Sequence, residues 1–163
     1  MQELKDTQSE ADTRNISIDR VGVKGLRFPI QIQDKLNRIQ STVATVSLAV
    51  DLPEEFKGTH MSRFVEALHQ HGPLLDVHTA LSIPRELLGR LSASRSHVEM
   101  EFPFFRAKAA PVTGREGLMD YVVRFEMEAE AGDRLADFKL TVVVPVTTLC
   151  PCLLYTSPSP RDS

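Results

Sequence analysis

Two thiols one residue apart, Cys150-Pro151-Cys152, are the side chains in this sequence best suited to soft-metal ligation or nucleophilic attack. They follow a β-branched run, Thr141-Val142-Val143-Val144-Pro145-Val146, which predicts a buried strand, and then Thr147-Thr148-Leu149. A thiol just past a rigid strand end, with proline behind it, is held in one direction, as a metal ligand or nucleophile requires. A structural zinc site needs four Cys or His ligands, and no second pair follows at suitable spacing. The plainer alternative is a small buried thiol with no chemistry.

The second candidate is Thr59-His60-Met61-Ser62-Arg63-Phe64. Met61, Phe64, Val65 and Leu68 recur at the spacing of one helix face, with Thr59 as N-cap and Gly72-Pro73 as the stop. His60, Ser62 and Arg63 then fall in the first turn. Unpaired N–H groups and the positive end of the helix dipole favour an anion there, and Arg63 adds a forked donor for phosphate or carboxylate. An ordinary capped helix with a solvated arginine fits the same residues. His69 and His71, two apart, do not share a helix face and suit a helix C-terminus better than a metal pair. His78 and His97 have no carboxylate partner that the sequence alone places. Glu126, Glu128 and Glu130 form a row on one strand face, either functional or simply solvated.

These candidates need a scaffold. Val21 to Gln33 reads as extended chain, with Pro29 marking an edge or a bulge. Thr42 to Asp51 alternates, with Ala44, Val46, Leu48 and Val50 on one side. After the first helix, Ile83, Leu87, Leu88 and Leu91 form the stripe of a second, with Pro84 placed in its first turn. Three more alternating strands follow, through Val98–Phe104, Tyr121–Met127 and Phe138–Val144, with turns at Gly114 and Gly132-Asp133. One apolar and one polar face per strand predict an antiparallel sheet with two helices packed on its apolar face, an α+β domain.

The 163 residues suffice for one domain, and 42% hydrophobic with 25% charged residues is ordinary for a soluble protein. A formal net charge of −3 gives no nucleic-acid footprint, and no apolar run approaches the roughly 20 residues that span a bilayer. Residues 1–15 are polar and expected to be mobile, with no secretion signal. With two cysteines too close to pair, a reducing cytoplasm is expected, and the acceptor-like Asn15-Ile16-Ser17 is set aside. Residues 153–163, LLYTSPSPRDS, continue no earlier pattern and read as foreign adapter or vector text; Cys152 is either native or the first residue of that text. The expected layout is a polar N-terminus over 1–15, a folded module over 16–152 and a non-native tail over 153–163.

Four segments in register carry a resemblance: Asp12-Thr13-Arg14-Asn15, Val21-Gly22-Val23-Lys24-Gly25-Leu26, Gly58-Thr59-His60-Met61-Ser62-Arg63-Phe64 and Thr147-Thr148-Leu149-Cys150-Pro151-Cys152. Together they resemble the N-terminal part of a type IB GTP cyclohydrolase I, over about residues 12 to 152. The resemblance implies a tunnelling-fold module: an antiparallel sheet with two helices on one face, present twice in the family chain. Subunits assemble as homo-oligomers, tetramers in the family, whose sheets close a barrel with active sites at the seams. The implied reaction hydrolyses GTP to 7,8-dihydroneopterin triphosphate and formate, the first step of tetrahydrofolate synthesis. The implied cofactor is a divalent metal ion, manganese or zinc, which activates water against C8 of the guanine ring.

By the same resemblance Cys150 is a metal ligand, and His60, Ser62 and Arg63 line the substrate or triphosphate pocket. The family text continues as S-K-x-I-S-x-x-G-A-H-N-Q-R, whose His is a second ligand, with a later Glu as the third. This sequence departs after Cys152, so a truncated and inactive fragment is expected. Two other readings stand beside this one. One is a nitrile reductase of the queuosine pathway on the same fold, in which the cysteine is a nucleophile. The other is a non-enzymatic oligomeric binding module.

Overall fold

The computed structural model describes residues 18–33, 38–52, 59–109, 113–132 and 137–146. The elements are β1 (Ile18–Gln33), β2 (Ile39–Leu52), α1 (Met61–Gln70), β3 (Leu74–Leu75), α2 (Val77–Leu91), β4 (Arg95–Ala109), β5 (Glu116–Glu130) and β6 (Asp137–Val143). They form one six-stranded sheet in the order β3-β1-β2-β4-β5-β6 with two helices, as an α+β tunnelling-fold module requires. All pairings are antiparallel except that of β3, whose two residues run parallel to Gln31 and Ile32 of β1. So short a strand carries no readable alternation, and the expected all-antiparallel sheet is in fact mixed.

The period-two pattern places the core. Ala44, Val46, Leu48 and Val50 of β2 are buried beside Val98, Met100 and Phe102 of β4 and Val123, Phe125 and Met127 of β5. Phe64, Ala67 and Leu68 from α1, and Ala80, Ile83 and Leu87 from α2, close over them. Full burial of Phe64 alone stabilises by about 2–3 kcal/mol. Phe125 stacks edge-on against Phe102 and Phe138 at centroid distances of 5.3 and 5.2 Å, extending the core toward β6.

Three local expectations change. His60, not Thr59, occupies the N-cap of α1, and no side chain caps that end. Pro84 does not sit in the first turn of α2. The Asp76 carboxylate accepts from Thr79 N at 2.6 Å and starts the helix earlier, so Pro84 is interior and buried. Its own carbonyl accepts from Ser96 Oγ at 2.7 Å. Finally, the strand leading to Cys150 is not buried. β6 is a sheet edge, and Val142, Val143 and Val146 are 48%, 55% and 73% exposed. A strand with one neighbour buries its apolar side only where a second layer covers it.

Other expectations hold. Gly72 and Gly132 adopt positive φ at the end of α1 and after β5. Most of β1 lies at the sheet margin, and Pro29, opposite Val43, fits there because it has no N–H to offer an outer neighbour.

Candidate functional site

The chain enters α1 through His60 in an extended conformation, φ −76° and ψ 112°. Arg63 N donates to His60 O at 3.1 Å, closing the first turn. No acidic side chain lies in that turn, so the positive end of the helix is unopposed from within it. Ser62 and Arg63 are exposed, while His60 is half-buried.

Arg63 also has a structural duty. Its Nη1 donates to Arg90 O at 3.1 Å, satisfying a carbonyl at the C-terminal end of α2. Arg90 in turn donates through Nε to Glu86 at 2.6 Å and through its Nη atoms to Glu66 and Gln70. The helix-start group therefore sits on a polar web joining the two helices. That web lies at the end of the sheet where β2 finishes and β4 begins: Asp51 Oδ1 accepts from Ser94 N and Arg95 N, both at 2.8 Å.

Cys150 and Cys152 lie outside the described residues, and β6 is the last strand described before them. Asp137 pairs with Glu128 near the Arg95 end, and Val143 pairs with Val122, itself adjacent to the Pro103 row. From the Arg95–Glu130 row to the Pro103–Val122 row is eight residues of strand, roughly 26 Å. β6 thus runs away from the Arg95 end and stops at the Pro103 row, partway along the β4–β5 ladder, which continues to Ala109–Glu116. Within the described chain, the anion-friendly helix start and the approach to the thiol are not brought together.

The histidines divide as their spacing indicates. His69 meets Phe28 edge-on at 5.1 Å, and His71 Nδ1 lies 3.2 Å from Ser82 Oγ. Ser82 Oγ already donates to Thr79 O at 2.6 Å, so it accepts from the imidazole, and His71 Nε2 is buried without a partner among the described residues.

His97 does have carboxylate partners, contrary to the reading from sequence. Its Nδ1 is 2.7 Å from Glu128 and its Nε2 3.0 Å from Glu99. The signal was present: His97 and Glu99 share the polar face of β4, and the β4–β5 register sets His97 opposite Glu128. The acidic row is balanced rather than bare. Lys139 bonds Glu126 at 2.7 Å, which holds that carboxyl below its ordinary range, and Arg95 reaches Glu130 at 2.8 Å. Among the described residues no group of three or more His, Cys, Asp or Glu is arranged to hold a metal ion. No helix among them is long and apolar enough to cross a membrane.

Comparison with known proteins resolves what this arrangement belongs to. The family model GCHY-1, described as type I GTP cyclohydrolase folE2, matches residues 4–159. A relative from Akkermansia muciniphila, named GTP cyclohydrolase FolE2, is 93% identical over 152 residues, covering 93% of this chain and 58% of its own length. Relatives of the same name from Fervidobacterium nodosum and Nitrosomonas eutropha are 49% and 46% identical over 149 and 151 residues, covering 91% and 93% of this chain. The chain spans only 56% of the length of each of those two. By its sequence over nearly its whole length, and with a fold that agrees, the chain belongs to the type I GTP cyclohydrolase folE2 family.

Proposed function

We propose that this chain carries the N-terminal part of a metal-dependent GTP cyclohydrolase, which converts GTP and water to 7,8-dihydroneopterin triphosphate and formate in the cytoplasm. The family match carries this reading, since it spans both the thiol motif and the helix-start motif. It also speaks for a cyclohydrolase over a nitrile reductase or a binding module. The module is assigned to residues 16–152 and the foreign tail to 153–163, although the family match itself runs on to residue 159.

Cys150 is the ligand this chain would give to a divalent ion, manganese or zinc, which when bound supplies an activated water. Catalytic sites of this type use three protein ligands, and the described residues form no such set, so the remaining ligands lie outside them. His60, Ser62 and Arg63 are proposed to hold the substrate's phosphates at the start of α1. Arg63 would do so with donors other than the one given to Arg90 O. Because β6 carries the chain away from the end of the sheet where that group sits, a complete site is proposed to form between subunits of a homo-oligomer.

The decisive experiment assays formate release from GTP by the full-length parent. Cys150→Ala should abolish metal-dependent turnover while leaving the oligomer intact. Undiminished turnover in that variant would sink the proposal. The 163-residue chain assayed alone should release no formate, since one thiolate cannot hold the ion.

A further inference from the structure

The sheet parts into two wings on the face away from the helices. β2 and β4 pair from Val50–Ser96 to Thr45–Glu101, and their ladder ends there although both strands continue. Beyond that point side chains bridge them. Thr42 Oγ1 donates to Pro103 O at 3.1 Å, Gln40 Nε2 donates to Phe105 O at 2.9 Å, and Phe105 N donates to Gln40 Oε1 at 2.8 Å. Pro103 has no N–H with which to extend the ladder. The parting leaves an open groove of about 510 Å³, floored by the core residue Phe102. That volume falls within the range of small-molecule sites.

Two rows of side chains cross the groove, because residues paired across strands share a face. One row is charged and polar: Arg27 opposite Thr45, Thr45 opposite Glu101, Glu101 opposite Arg124. The adjacent row is apolar: Val43 opposite Pro29 on one wing, Val122 opposite Pro103 on the other. Arg124 Nε bonds Glu101 at 3.0 Å, so that carboxylate is taken. Arg27 has no ion-pair or hydrogen-bond partner among the described residues. With Glu101 engaged by Arg124, Arg27 is the charged side chain of the lining without a partner among the described residues.

We propose that this groove binds a small organic anion with a flat apolar body, its charge on Arg27 and its body across Val43, Pro103 and Val122. The site is built entirely from described residues and shares none with His60, Ser62, Arg63 or Cys150, so it stands apart from the function proposed above.

The test is a fluorescence titration of the full chain with anilinonaphthalene sulfonate, beside its uncharged analogue phenylnaphthylamine. The sulfonate should bind at one site and more tightly than the neutral probe. Arg27→Glu should weaken the sulfonate about fivefold, the scale of a single solvent-exposed ion pair, and leave the neutral probe unmoved. Arg27→Lys should retain binding. Val122→Glu should weaken both probes. Leu140→Asp, at the exposed edge strand on the other face, should change neither, and melts of each variant establish that it folds. Equal sulfonate affinity in the parent and Arg27→Glu overturns the proposal. So does equal affinity for the two probes, or loss of binding in Leu140→Asp with Val122→Glu unaffected.

Discussion

Gly22 faces Ala49 across the β1–β2 ladder between two register shifts, and a Cβ there would overlap the Leu48 carbonyl oxygen. Only glycine lets the two backbones approach so closely, and the obstacle is main chain rather than a side chain that can swing aside. Gly22→Ala should therefore destabilise by about 2 kcal/mol, read as a lower urea midpoint with an unchanged slope. Asp76 acts through charge instead. Its hydrogen bonds with Thr79, backbone first, hold the carboxyl below the ordinary aspartate range. A depressed folded value means the contribution is present above about pH 4 and disappears as pH falls through the lower folded value. Asp76→Ala should cost about 1 kcal/mol near neutrality, with the gap to the parent narrowing as pH falls below about 4 in paired melts. A constant gap across that range would mean that the cap does not act through its charge.

At the scale of elements, β6 tells most about what the module lacks. Leu140 and Val142 pair with the buried Phe125 and Val123 and so lie on the helix side of the sheet, yet they are 53% and 48% exposed. An exposed apolar edge strand invites pairing with another chain. Leu140→Lys should suppress self-association in sedimentation while moving stability by less than about 0.5 kcal/mol. Unchanged association would show that the edge is not the adhesive surface. The same strand shows where the sequence could and could not be read. The alternation in β2, β4 and β5 was legible because a covered face imposes period two on residue type, as Ala44, Val46, Leu48 and Val50 show. β6 carries the same period without the burial, since periodicity reports which side faces the core and not how far the helices extend over it. α2 was placed late because Pro84 is usually a first-turn residue, whereas Asp76 supplies the actual start. The partners of His97 stayed hidden because they depend on cross-strand register, which no single strand contains. For the candidate site, the helix start was legible from its spacing, while Arg63's bond to Arg90 O depends on how two helices pack.

Across the whole molecule, the direction of β6 relative to the α1 start bears on where a complete site would form. The α1 start is tied through Arg90 to the Asp51–Ser94 end of the sheet, and β6 carries the chain to the Pro103–Val122 row, roughly 26 Å of strand away and partway along the sheet. Under the proposed inter-subunit site, a protomer gives its helix start to one site and its thiol to another. This makes a prediction that a single-chain site does not share. In the full-length parent, Cys150→Ala and Arg63→Glu should each be inactive as homo-oligomers, yet oligomers assembled from a mixture of the two should recover part of the activity. Recovery follows because some sites then pair an intact thiol from one chain with an intact helix start from its neighbour. Arg63→Glu also removes the bond to Arg90 O, so its melting temperature and oligomeric state must be compared with the parent before its kinetics are interpreted. A folded, co-assembled mixture with no recovered turnover would place both groups in the same site and overturn the proposed inter-subunit arrangement.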